Sequence, residues 1–264
     1  MTTFEDATAV AKAGEGHYTA ELSAGFSIGH ALHGGYLMAV AQRAAVAGSP
    51  HAHPVANSWN FLRVPRPGPA EVRVERVKTG RTAAVSRATL VQDDQAVLEG
   101  MVTTGTLDPD AVASYSAKPP IIAPVEECRG DPAAESNAGR QIGLAHQMEL
   151  RFDPATAEWA HGRPGDTLEM SGYFRLRDGS EPDSYVLAVA VDAFPPVVFA
   201  LGSYGWAPTV ELTWHMRAVP APGWLTGHLS GRLVSDGWFD EEVELWDSTG
   251  RLVAQARQLA RLAR

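Results

Sequence analysis

Two side chains in the second half of this chain carry polar chemistry into apolar surroundings. Asp192 lies seven residues after Tyr185 and, at helical spacing, shares a face with Tyr185, Ala188 and Val189. A carboxylate on that face is stripped of water, which raises its affinity for protons and suits it to act as a base. It persists there only where neighbours hydrogen-bond it. Gln258 alternates in phase with Leu252, Ala254, Ala256, Ala260 and Leu262, so its amide points to the packed face of a strand. Thr209 opens a strand pattern on the side opposite Val210, Leu212, Trp214 and Met216. Plainer roles fit the same spacings: an aspartate satisfied by the following turn, an amide bridging strands, a threonine that only starts one.

In the first half, His33-Gly34-Gly35 opens a helical pattern. Glycines at a helix N-terminus let a ligand or another backbone approach the free N–H groups, or simply make a tight entry turn. His30-Ala-Leu-His-Gly34 has the opening of a dehydratase-type motif, but Met38 and Ala39 stand where its later proline belongs. No Gly-rich phosphate loop, Ser-centred elbow or His-Glu-x-x-His zinc motif is present.

Composition narrows the classes. The 264 residues carry a net charge of −9, with 45% hydrophobic and 20% charged residues. That balance fits a globular protein and lacks the basic footprint of a nucleic-acid binder. The single cysteine, Cys128, excludes an internal disulfide and any cysteine metal cluster. No metal and no cofactor are expected. The N-terminus shows no basic region leading into an apolar run, and no apolar stretch is long enough to span a bilayer. The expected location is the cytoplasm.

The elements that must position these residues occur twice. Tyr36-Leu-Met-Ala-Val-Ala-Gln-Arg-Ala44 is echoed 149 residues later by Tyr185-Val-Leu-Ala-Val-Ala-Val-Asp-Ala193. Trp59, Pro65, Pro67, Gly68, Leu90 and Leu107 recur 155 residues later as Trp214, Pro220, Pro222, Gly223, Leu245 and Leu262. The first copy reads as a strand over 17–28, a helix opened by His33-Gly34-Gly35 and running to about Ala47, and strands over 55–64, 70–78, 83–92 and 96–107. Gln92-Asp-Asp-Gln95 marks a hairpin. The second reads as strands over 146–152 and 168–176, a helix capped by Asp183 or Ser184, and strands over 209–217, 225–234, 239–247 and 251–262. A central helix followed by a run of antiparallel strands is the hotdog architecture. The fold class is therefore α+β, two fused hotdog units, with a first unit over 1–110, a proline-rich linker over 111–144 and a second unit over 145–264.

This repeat with its polar insertions resembles the double-hotdog acyl-CoA thioesterases of the bacterial thioesterase II type, most strongly from Asp192 onward. The resemblance implies a water positioned by an aspartate near the end of the second helix, a threonine starting the next strand, and a glutamine in the last strand. The matching positions are Asp192 in Val-Asp-Ala-Phe-Pro, Thr209 in Pro-Thr-Val-Glu-Leu-Thr, and Gln258 in Val-Ala-Gln-Ala-Arg-Gln-Leu. It implies hydrolysis of an acyl-CoA. Read from the residues themselves, His33, Gly34, Gly35, Trp59 and Trp206 are the substrate-binding candidates, core packing being the commoner role for the two tryptophans, and the Gly35 N–H is one candidate oxyanion donor. By the repeat offsets Asp192 falls on Arg43, Thr209 on Pro54 and Gln258 on Thr103, so one active site per chain is expected. A hotdog hydratase or dehydratase, and a non-catalytic acyl-binding or scaffolding protein, are the alternatives on the same fold. Association into a homo-oligomer stays open.

Overall fold

A computed structural model describes residues 2–131 and 143–262. A short helix α1 (Phe4–Thr8) leads into β1 (Val10–Gly14) and β2 (His17–Leu22), followed by the short pair β3 (Ser27–Ile28) and β4 (Ala31–Leu32). Helix α2 (Gly34–Ala47) comes next, then β5 (His53–Phe61), β6 (Gly68–Thr79), β7 (Ala83–Gln92) and β8 (Gln95–Gly105). The connection adds β9 (Arg129–Gly130), paired with β10. The second unit has α3 (Leu144–Gln147), β10 (Met148–Phe152), β11 (Glu169–Leu176) and α4 (Ser184–Ala190). It ends with β12 (Thr209–Met216), β13 (Leu225–Ser230), β14 (Val234–Ser235), β15 (Trp238–Trp246) and β16 (Leu252–Arg261).

Apart from the separate β3–β4 pair, the strands form one antiparallel sheet in the order β1-β2-β6-β7-β8-β5-β12-β16-β15-β13-β11-β10-β9, with β14 paired to β15. β5 and β12 join the two units, with Trp59 opposite Leu212 and Ser58 opposite Thr213. The double hotdog is thus a single curled sheet around two neighbouring helices. Tyr36, Met38, Ala39, Val40, Ala41, Ala44 and Ala45 of α2 are all fully buried. A helix this apolar on every side belongs inside a protein, and each large buried side chain contributes about 1.5–3 kcal/mol. His33 caps α2 by accepting the Tyr36 N–H on Nδ1 at 3.2 Å. Asp183 caps α4, accepting from Tyr185 N at 2.8 Å and Val186 N at 2.7 Å. α4 is half as long as α2 because the chain turns off at Val191–Asp192 and meets Pro195 and Pro196, which cannot extend a helix.

Several expected boundaries move. The strand expected over 17–28 stops at Leu22, where Ser23 caps a 3-10 turn by accepting the Gly25 N–H. The Asp93–Asp94 hairpin is as expected, with φ of 51° and 58°, the left-handed pair that matches strand twist. Its counterpart in the second copy is one residue longer. Five residues, Asp247 to Arg251, separate the paired Trp246 and Leu252, where four separate Val91 from Ala96. The last strand is therefore offset by one further residue between copies, and the counterpart of Gln258 is Val102, not Thr103. The register agrees: Gln258 faces Leu212 as Val102 faces Asn57.

Candidate active site

Asp192 sits just past the end of α4, its N–H bonded to Val189 O at 3.1 Å. From there its carboxylate meets the N-terminus of α2. Oδ2 accepts the Gly35 N–H at 2.7 Å. His33 Nε2 lies 2.7 Å from the Asp192 carbonyl and 3.2 Å from Oδ2. Because Nδ1 accepts from Tyr36, the ring proton of the neutral imidazole is on Nε2, which donates to Asp192. Burial pushes the Asp192 carboxyl above its ordinary range, against the pull of His33 and the Gly35 N–H. Its side chain keeps 11% exposure, and among the described residues nothing donates to Oδ1. The carboxylate thus has one oxygen tied to the first unit and one left open. Gly35 is committed to Asp192, so the N–H expected to meet an oxyanion is already occupied. The neighbouring Gly34 N–H carries no hydrogen bond to the described residues.

A side chain is crowded at both helix positions, by movable side chains at Gly34 and by fixed backbone at Gly35. A methyl at Gly34 would lie 2.8 Å from Asp192 Oδ2 and 2.8 Å from the Phe61 ring. One at Gly35 would lie 2.6 Å from the Ala188 carbonyl. The two glycines exist so that α4 and its carboxylate can press against α2.

The Thr209 hydroxyl donates to Gln258 Oε1 at 2.5 Å, and Gln258 Nε2 donates to Glu241 Oε1 at 2.5 Å. Glu241 Oε2 accepts the Val197 N–H at 2.6 Å. Thr209 reaches Gln258 because β12 bulges at Val210: Thr209 faces Ala260 while Glu211 faces Leu259. The extra residue turns Thr209 inward and leaves Val210 outside, reversing the face expected from simple alternation. Glu241 is a buried member that the sequence reading passed over. Its signal was there, in phase with the inward Phe239, Val243 and Leu245 of β15. Burial pushes its carboxyl up to about 7, with two accepted hydrogen bonds opposing and the Asp192 charge adding to the rise. No hydrogen bond joins Asp192 to Thr209 or Gln258; the charge of Asp192 felt at Glu241 links the two groups.

That shift has a consequence for stability. Between the ordinary 4.5 and about 7, the folded protein holds a proton on Glu241 that the unfolded chain releases. Its contribution therefore turns against folding as pH rises, fully so above pH 7. Glu241→Gln is expected to stabilise the fold at pH 8 by about 1–3 kcal/mol and to give no such gain at pH 5, read by urea unfolding at both values.

The remaining candidates lie apart from these contacts. Trp59 is fully buried, its ring against Gly100, where a methyl would come within 2.5 Å of it. Trp206 is 45% exposed, its ring 6.0 Å from that of His30. Phe61, beside Gly34, is the aromatic at the helix N-terminus. The first unit has Arg43, Pro54, Val102 and Ser86 where the second has Asp192, Thr209, Gln258 and Glu241. Arg43 donates to Thr8 Oγ1 at 2.7 Å and stacks 4.1 Å above the Tyr185 ring, filling its corner. Burial pushes the Cys128 thiol up to about 11, with Asp153 and Glu127 adding to the rise, so it stays protonated. Among the described residues no group of three His, Cys, Asp or Glu side chains could hold a metal, and no helix is long and apolar enough to cross a membrane.

Comparison with known proteins gives the same outline. The family described as acyl-CoA thioesterase N-terminal domain matches residues 22–105, and that described as acyl-CoA thioesterase C-terminal domain matches residues 125–262. A candidate thioesterase II from Thermobifida fusca YX, solved by crystallography, is 45% identical with a TM-score of 0.92, covering 100% of this chain and 98% of its own. An uncharacterized protein of Mycobacterium tuberculosis is 32% identical over 262 residues, 92% of this chain and 90% of its own. A protein of unknown function with a hot dog fold from Alicyclobacillus acidocaldarius is 21% identical with a TM-score of 0.85, covering 99% and 98%, and shares the fold.

Proposed function

Because the chain belongs to the acyl-CoA thioesterase family and is a thioester hydrolase, we propose that it hydrolyses acyl-CoA to a free acid and CoA at one site, by an activated water. The observation that carries this reading is the Asp192 carboxylate, anchored through Oδ2 and open at Oδ1. In this reading a water donates one proton to Oδ1 and has Thr209 and Gln258 as its other neighbours. As its oxygen bonds to the thioester carbon, Asp192 takes the proton. Collapse of the tetrahedral intermediate breaks the C–S bond, and the proton passes to the leaving thiolate. The Gly34 N–H, unbonded to the described residues at the positive end of α2, is the amide this reading assigns to the oxyanion. Trp206, exposed beside His30, is the aromatic this reading assigns to the acyl or pantetheine arm. This chemistry needs neither metal nor cofactor.

The hydratase alternative asks His33 to move protons, but Tyr36 and Asp192 occupy both of its ring nitrogens. The test is thiol release from acyl-CoA esters of graded chain length. Turnover is expected over at least one range of lengths, and no release with any ester would overturn the reading.

A further inference from the structure

We propose that Glu241 is a positioning residue which, through Gln258, sets the direction of the Thr209 hydroxyl, and that ionised Glu241 holds the arrangement that activates water. What the arrangement does rests on the thioesterase reading above; the arrangement itself rests on hydrogen-bond geometry.

An ionised carboxylate only accepts hydrogen bonds. One oxygen of Glu241 takes the Val197 N–H, so its other oxygen must be faced by a donor, and Gln258 presents Nε2. With the amide fixed, its Oε1 faces Thr209, and the hydroxyl proton is spent on it. Thr209 then offers the substrate side lone pairs alone. Together with Asp192 Oδ1 it gives a water two acceptors. Both water hydrogens are held, and a lone pair is left for the thioester carbon.

Protonating Glu241 inverts the chain. The Val197 N–H still needs an acceptor, so the new proton sits on the oxygen facing Gln258. The amide must turn its Oε1 toward that proton and its Nε2 toward Thr209. The hydroxyl now accepts from the amide and points its own proton at the water, engaging the lone pair needed for attack.

The charged surroundings of Glu241 leave Asp192 as the group that couples to it. β16 presents Gln258 on this face. Arg257 is on the other face, 3.8 Å from Asp240 and 4.0 Å from Glu242. The 3-10 turn Val197–Leu201 and β14 bring no titratable side chain. The elevated affinity of buried Glu241 for a proton places the inversion near neutral pH.

Glu241→Gln tests this. Its Oε1 must take the Val197 N–H, so its NH2 faces Gln258 and locks the inverted chain at every pH. At pH 8, kcat is expected to fall about thirtyfold with KM within about threefold of wild type. The swap Glu241→Gln with Gln258→Glu restores an acceptor to Thr209 and is expected to recover at least about tenfold of that loss. A protein in which Glu241 only packs would show no such recovery. Wild-type kcat in the single variant, or a swap no faster than it, overturns the proposal. A substrate-free readout separates this from the functional reading: the side-chain amide NMR signals of Gln258, identified by their loss in Gln258→Ala. They are expected to shift with pH in wild type and not in Glu241→Gln. Titrating signals in a protein that releases no thiol would sustain the arrangement and refute the thioesterase reading; signals that do not titrate in an active enzyme would do the reverse.

Discussion

Asp192→Asn is expected to lower kcat by about two to four orders of magnitude while leaving KM within a few-fold. Asparagine has the same shape and an oxygen that can still accept the Gly35 N–H, so the junction between α4 and α2 survives. What it loses is the open Oδ1 that takes the water's proton. The direction of the Asp192 shift adds a check on the sign. Burial favours the protonated acid, so in wild type activity is lost as pH falls through a value above the ordinary carboxylate range. The same burial means that removing the charge does not weaken the fold. Thiol-release kinetics beside a thermal melt at pH 8 would show a slow enzyme with an unchanged or raised Tm. Full activity in this variant would move the base elsewhere.

Gly35→Ala is expected to destabilise the protein by about 3 kcal/mol or more and to abolish activity with it. The added methyl would sit 2.6 Å from Ala188 O and 2.8 Å from Val189 Cα. Both are backbone atoms of a buried helix, which cannot step aside without opening the core. Separating the helices also pulls the Gly35 N–H from Asp192. Gly34→Ala makes the informative contrast, because its methyl meets side-chain atoms of Asp192 and Phe61 that can swing away. Denaturant unfolding should rank Gly35→Ala well below Gly34→Ala in stability. Equal stabilities would show that the helices are not pressed together as described.

The parts of this molecule that were legible in its sequence are those set by local pattern and repetition. The echo at Tyr36 and Tyr185 located both helices, and the alternation around Gln258 placed its amide inside. Thr209 was not legible. Its face depends on a bulge at Val210, a two-against-one register that appears only once β12 and β16 are paired. The first copy has the same bulge at Val55, between the paired Pro54 and Ala56, so this feature is part of the duplicated unit. The counterpart of Gln258 was misplaced by one position for a similar reason: the longer Asp247–Arg251 hairpin slides the last strand. That turn is built around the buried Asp247 carboxylate, which accepts from Thr249 N, Arg251 N and Ala221 N. Correcting Thr103 to Val102 sharpens the difference between copies, since a fully buried valine can hold no water. Glu241 shows the remaining limit. Its inward phase was readable along β15, but its meaning depends on Val197, Gln258 and Asp192 arriving from three other segments.

One stoichiometry tests the central claim, a single hydrolytic site per chain, most directly. The Asp192→Asn protein, slow enough to hold substrate, is titrated calorimetrically with an acyl-CoA that wild type hydrolyses. One acyl-CoA bound per chain is the expected result. Two per chain would mean that the corner filled by Arg43 and Tyr185 is also a site, and would contradict it.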